Sequence, residues 1–187
     1  MAPETDRWPY VPAHTQKRYQ GKRPVRLIVI HSMEAPERDQ TAENVARYFA
    51  QSTTRASAHL CIDADSIVQS VLDNNIAAAA PGANTDGIHL ELAGYAKQAQ
   101  TEWLDPYSVL VINNAANAAA QYCLKFDIPI RHLTDEQLKI GSRGFVSHAQ
   151  VSRVYKRSTH TDPGGNFPWD FFLKRVRDYY GSRKPQE

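Results

Sequence analysis

The chain has 187 residues, 42% hydrophobic and 22% charged, with a formal net charge of +2, and it shows neither a low-complexity tract nor an internal repeat. These are the proportions of a soluble globular protein, and the length suits one domain with a full core. A pI of about 8.5 falls short of the concentrated Lys/Arg patch of a dedicated nucleic-acid binder, so no nucleic-acid partner is expected. The longest apolar run, VRLIVIH from Val25, is too short to span a bilayer, and the polar, proline-bearing start MAPETDRWPYVPAH lacks the apolar run of a signal peptide. The expectation is a protein made in the cytoplasm without a signal peptide, and without membrane insertion. Cys61 and Cys123 lie in apolar segments and read as small buried hydrophobes rather than a disulfide.

In chain order, residues 1–24 hold Pro3, Pro9, Pro12 and Pro24 without a clear period and read as an extended N-terminal arm that packs Trp8, Tyr10 and Tyr19 on the body. VRLIVI is a continuous apolar, β-branched run ending on His31, the signature of a strand buried on both faces. In TAENVARYFAQ, Ala42, Val45, Ala46 and Phe49 recur at i, i+3, i+4 and i+7, giving one apolar helix face. SAHLCID, the DADS turn and SIVQSV predict a hairpin. In GIHLELA from Gly87, Ile88, Leu90 and Leu92 alternate with His89 and Glu91, so two ionisable side chains share a strand face.

Asp105 as N-cap and Pro106 at the first helical position open a long Ala-rich helix through Phe126, suited to close packing on a sheet. Thr134 and Gln137 have capping-box spacing, and Leu133 and Leu138 that of a hydrophobic staple, so a short helix starts there. The last helix begins near Pro168, carries Trp169, Phe172, Leu173, Val176 and Tyr180 on one stripe, and closes at Gly181. Strands alternate with helices and one hairpin interrupts the crossovers, so the fold class is α/β with a mixed central sheet flanked by helices. Residues 182–187 read as a flexible C-terminal tail.

Seven histidines are present. His31 ends a buried strand, and the carboxyl ends of strands in open α/β sheets are where catalytic groups collect. His148 follows the GFVS segment, and Asp162 sits in a Gly/Pro loop before the last helix. None of these has local metal-ligand spacing of the HExxH kind, and DPGG makes a good turn on its own. Two imidazoles and one carboxylate would nevertheless leave one tetrahedral position on zinc for water, lowering its pKa to about 7. Glu91 is the candidate to orient that water and move its proton, and His160 to donate to an oxyanion. Spacing alone leaves a metal-dependent hydrolase as one reading beside a turn with a loop histidine and a solvent-facing Glu91 on an edge strand.

Taken in order, VIHSM, SAHLCIDADSIVQSV, GIHLELAG, VSHAQV and HTDPGGNFPW resemble the type 2 N-acetylmuramoyl-L-alanine amidase family, which includes phage endolysin catalytic domains, bacterial recycling amidases and peptidoglycan recognition proteins. The resemblance runs from Val25 to Tyr180 and implies one peptidoglycan recognition protein/amidase-like domain over residues 25–181. It also implies zinc (Zn2+) as cofactor and hydrolysis of the amide between N-acetylmuramic acid and L-alanine in peptidoglycan. Carried over by residue, it makes His31, His148 and Asp162 the metal ligands and Glu91 the catalytic glutamate. His160 falls where many members carry a lysine two residues before the last ligand. It is a rival for the second ligand, but the family pattern favours His148 and leaves His160 as the oxyanion donor. His89 replaces a family glycine, and His59 matches a frequent family histidine; neither receives a role.

Two departures bear on substrate positioning. AAAAPGAN from Ala77 stands where members often have a Trp-His-Ala-Gly segment. Fourteen positions separate His148 from Asp162, suggesting a long loop. The leading expectation is a monomeric phage-type endolysin that acts at the bacterial cell wall; the family resemblance, not these residues, implies a route there such as a membrane pore made by a second protein. Its rivals are a recognition protein that binds wall fragments without cutting, a regulatory binding protein, and a zinc-free hydrolase. Against the last, neither cysteine lies in a nucleophile motif and no Gly-x-Ser-x-Gly element appears.

Overall fold

The computed structural model describes residues 7–183. Within the segment expected to be an extended arm, β1 (Gln16–Arg18) is a short strand that the aperiodic sequence does not signal. Val11 and Ala13 donate backbone hydrogen bonds to Gln69 and Ser70, and Trp8 packs on the main core. Next come β2 (Leu27–Ser32), α1 (Thr41–Ala50), β3 (Leu60–Ile62), β4 (Ile67–Gln69), β5 (Asn75–Ala77) and β6 (Gly87–Leu92). The chain continues through α2 (Gln100–Trp103), α3 (Pro106–Phe126), α4 (Asp135–Lys139), β7 (Gly144–Ser147), α5 (His148–Tyr155) and α6 (Trp169–Gly181).

The main sheet has five strands in the order β4-β3-β6-β2-β7, and β1 pairs with β5 in a separate two-stranded sheet. Within the main sheet β2 runs parallel to β6 and β7, β3 is parallel to β6, and the β3–β4 hairpin is antiparallel. The sheet is therefore mixed, as the interrupted crossovers require. β2 is buried along its whole length, because a parallel strand between two others has helices on both of its faces. β6 is likewise central, so Glu91 does not stand on an edge strand.

Alternation along the strands separates two cores. Ile28, Ile30, Ile88, Leu90, Leu92, Leu60 and Phe145 face α3 and α6. Five buried alanines of α3, at 115, 116, 118, 119 and 120, let its backbone approach the sheet closely. On the opposite face, α1 packs over Cys61, Val68 and Ala77, while Val151 of α5 and Leu138 of α4 pack over Leu27, Val29 and Val146. The helices on this second face leave a gap at the carboxyl ends of β2 and β6.

The caps follow local chemistry. Asp105 accepts from the Ser108 amide with Pro106 in the first turn, and Thr134 and Gln137 form a reciprocal box with Leu133 and Leu138 buried in one cluster. The C-terminus of α6 differs from expectation: Gly181 stays helical and Ser182 is the C-cap in right-handed geometry. Of the tail expected over 182–187, Ser182 and Arg183 hydrogen-bond to the Tyr179 carbonyl; the rest lies outside the described residues. Both cysteines are free and buried.

α1 has no cap of its own, since Gln40 sits in left-handed geometry without a side-chain hydrogen bond. Asp63, at the end of β3 and fully buried, supplies it from a distance. One carboxylate oxygen accepts from the Ala42 amide at 2.8 Å, and the other takes the Ser66 amide at 2.8 Å and its hydroxyl at 3.0 Å. Asp63 thus ties the hairpin to the helix that walls the gap. Asp63→Ala should leave several buried donors unsatisfied and lower unfolding stability by about 2 kcal/mol or more, read from the urea midpoint at constant m-value.

Candidate active site

The register of the sheet builds the site. His31 on β2 pairs with Glu91 on β6, and Glu91 with Cys61 on β3. On the other side, β7 pairs through Ile30 with Ser147, so the next residue, His148, comes level with His31. Four side chains therefore form one row on the face between α1 and α5. His148 is the first residue of α5, and the Ser147 hydroxyl caps that helix by accepting from the Gln150 amide at 2.9 Å. The Ser-x-x-Gln spacing was the available sequence signal for α5. The expected long loop between His148 and Asp162 is therefore about half helix, because α5 runs from His148 to Tyr155.

Asp162 arrives from the loop after α5. Its carbonyl accepts from the Ala149 amide at 2.9 Å, anchoring the loop at the start of that helix. The turn closes with the Gly164 amide on the Thr161 carbonyl at 3.0 Å. Gly164 has φ of +92°, and a side chain there would overlap the Ala96 carbonyl, so this position needs glycine for both conformation and space.

One donor atom from each of His31, His148 and Asp162 lies within 4.8 Å of the others, and all three residues are buried. Asp162 stands between the imidazoles, 3.2 Å from Nδ1 of His31 and 3.1 Å from Nδ1 of His148. Glu91 Oε1 is 3.8 Å from Nδ1 of His31. His160 is set apart: its side chain is 61% exposed, its Nδ1 lies 3.4 Å from Asp162, and its ring stacks on His148 with centroids 4.1 Å apart. Behind the row, Nε2 of His31 lies 3.1 Å from Nδ1 of His89, and His89 stacks on His59. Nothing in the sequence pattern connects His89 to His31.

The two carboxylates are driven in opposite directions. Burial alone would raise the Asp162 carboxyl, but its contacts with the His148 and His31 imidazoles outweigh it and hold the group well below the usual range. Burial pushes Glu91 well above it, reinforced by the negative charges of Asp162 and Glu34. Paired groups separated in this way mark an ionised partner and a proton carrier. Burial also lowers His148, against the pull of Asp162, so its imidazole is neutral and keeps a lone pair. Burial raises both thiols, Cys123 to about 12, which leaves neither a thiolate nucleophile at neutral pH.

A cleft of about 260 Å³ opens over the row, lined by Met33, Val45, Tyr48 and Phe49 on one side and by His148, His160 and Asp162. Ala78 and Ala79 also line it, so the AAAA segment offers small apolar groups where the family pattern often has a histidine. The wall from α1 is not evident from the sequence, where Val45 and Phe49 read simply as a core-facing stripe.

Two imidazole nitrogens and a carboxylate oxygen, convergent and buried, suit a zinc-type cation. Nε2 of His148 is buried without a hydrogen-bond partner, consistent with a ring whose polar contacts are incomplete in the protein alone. Fold and site together define an α/β protein of the hydrolase type, with a His-His-Asp donor cluster beside a protonatable glutamate.

The family follows from comparison. The profile described as N-acetylmuramoyl-L-alanine amidase matches residues 21–165, and the chain belongs to that family, an amidase and therefore a hydrolase. Among solved structures, the Staphylococcus aureus hydrolase AmiA in complex with its ligand is 19% identical, with a TM-score of 0.70 over 91% of this chain and 80% of that one. The catalytic domain of XlyA is 17% identical, with a TM-score of 0.61 over 89% and 95%. A selenomethionine derivative of AmpD is 20% identical, with a TM-score of 0.60 over 93% and 94%. These likenesses establish the shared fold. No curated protein sequence matches the chain.

The Gly164 turn yields a paired test. Gly164→Ala should destabilise the fold by about 1–3 kcal/mol and displace Asp162. Gly165→Ala, where an added Cβ meets nothing within 4 Å, should be close to neutral. Thermal melts of the two variants, with zinc titration of each, check the contrast.

Proposed function

We propose that the protein is a zinc-dependent N-acetylmuramoyl-L-alanine amidase that cuts the amide between N-acetylmuramic acid and L-alanine of peptidoglycan, as a phage-type endolysin acting at the bacterial cell wall. The observation that carries this reading is the convergence of His31, His148 and Asp162 within 4.8 Å in the same row as Glu91. Membership of the amidase family supplies the bond class and the wall polymer as substrate. Among the solved structures of like fold is one described as a mutant endolysin from Bacillus subtilis, which supports the phage-type reading. Among the described residues, no helix is long and apolar enough to cross a membrane.

In this reading His31, His148 and Asp162 hold the zinc ion, and the convergence of donors favours His148 over His160 as second ligand. When bound, the ion lowers the pKa of a water and polarises the scissile carbonyl. Glu91, raised by its surroundings, takes the proton from the attacking water and returns it to the leaving nitrogen. His160, at the exposed rim, donates a hydrogen bond to the carbonyl oxygen as negative charge develops there. The apolar wall of Val45, Tyr48 and Phe49 excludes water from the side away from the ligands and gives the stem peptide a surface to lie on. The protein acts as a monomer.

Chelation should abolish release of stem peptides with an N-terminal alanine from purified peptidoglycan, and added zinc should restore it, both read by mass spectrometry. Undiminished release from a metal-free sample would overturn the zinc reading. Glu91→Ala should keep zinc yet lose about 10²–10⁴-fold in kcat. Asp162→Ala should weaken zinc binding, and His160→Ala should mainly lower turnover; the reverse pattern would exchange the second-ligand and donor roles of His148 and His160.

A further inference from the structure

We propose that His89 is a positioning residue for the metal centre, accepting a hydrogen bond from His31 and holding His31 in the one tautomer that can present Nδ1 to a cation. The proposal rests on the zinc reading above and concerns a residue which that reading does not use.

A neutral imidazole has one N–H and one lone pair. Nδ1 of His31 faces the cleft, 3.2 Å from Asp162 and 3.8 Å from Glu91, and is the nitrogen that can ligate. Its lone pair is available only when the ring proton sits on Nε2, and Nε2 is buried against Nδ1 of His89 at 3.1 Å. Asp162 pulls the other way, because its carboxylate beside Nδ1 would favour a proton on that atom and block the lone pair. An acceptor behind the ring counters that pull, and acceptors placed in this way orient metal-binding histidines generally.

Accepting at Nδ1 puts the proton of His89 on Nε2. That atom is buried and has no hydrogen-bond partner among the described residues, a cost that an apolar residue of similar volume would avoid. Packing alone therefore does not account for a histidine here. The surroundings hold the ring in place. His59 stacks on it with centroids 5.6 Å apart and planes 16° from parallel, and Nδ1 of His59 accepts from the His89 backbone amide at 3.1 Å. Gly87, two residues earlier on the same strand face, leaves the space: a Cβ there would come within 3.0 Å of Nε2 of His89. Strand alternation thus lets β6 supply both Glu91 within the row and His89 behind it.

Two substitutions separate hydrogen bonding from packing. His89→Leu fills the site without an acceptor, and His89→Asn keeps an acceptor oxygen near the position of Nδ1 while losing volume. Zinc affinity of the full chain, measured by competition with a chromophoric chelator, should fall about 10–100-fold in H89L and stay near wild type in H89N, with melts of the metal-free proteins reporting folding separately. A packing role predicts the opposite order, and either an unchanged H89L or a strongly weakened H89N would overturn the proposal. Nitrogen-15 NMR of the zinc-loaded wild type should show protons on Nε2 of both His31 and His89; a proton on Nδ1 of His89 would also overturn it. Failure of the wild type to take up zinc at all would overturn the metal reading and this role with it, whereas tight wild-type binding unaltered in H89L would remove only the role of His89.

Discussion

The parallel register of β2 against its two neighbours is the constraint on which the rest of the structure depends. Because side chains alternate with a period of two, pairing His31 with Glu91 and Ile30 with Ser147 brings the functional groups of β2, β6 and the start of α5 into one row on one face. A slip of a single residue would turn His31 into the core beneath α3 and bring Ile30 to the cleft. The slip is opposed by the apolar set itself. Ile28, Ile30, Ile88 and Leu90 are fully buried against α3 and α6, and a one-residue slip would turn the apolar set of the slipped strand out of that core. The packing of the opposite face therefore fixes the geometry of the site.

The second face does the reverse and leaves room. α1 covers one half and α4 with α5 the other, and the cleft is the interval between them. Its borders are held by polar ties rather than by core: Asp63 reaches from the hairpin to the start of α1, and the Asp162 carbonyl holds its loop to the start of α5. These ties matter because the ligand row draws on a strand end, a helix start and a loop. Only the strand contribution is rigid by virtue of the sheet.

The site also shows how two like groups acquire unlike chemistry. Asp162 and Glu91 are both carboxylates near the same histidine, yet Asp162 lies against two imidazoles and is held low, whereas Glu91 gains burial and neighbouring negative charge and is held high. His89 and His59, buried still deeper, are pushed well below the usual imidazole range, chiefly by burial and then by neighbouring cationic or imidazole groups. They stand behind the row as neutral rings, suited to hydrogen bonding and not to carrying charge.

Much of this was legible in the chain itself. The runs through Ile30 and Leu92, the hairpin, the Asp105 and Thr134 caps and the apolar stripes of α1 and α6 are local patterns, and local patterns survive in the tertiary structure when every level agrees. Five ordered motifs were enough to indicate the family and to single out His31, Glu91, His148 and Asp162. Three things were not legible. β1 has no alternation of its own and exists because β5 offers a pairing edge. α5 was hidden in an apparent loop, although its Ser147–Gln150 spacing was visible. The contact of His89 with His31 joins residues 58 apart and leaves no periodic trace. The sequence by itself determined which residue types were available and which face of each strand they occupy, because alternation and capping are properties of neighbouring residues. Only the tertiary structure decided which of seven histidines meet, because that depends on strand order and register, and those are set by packing between elements far apart in the chain.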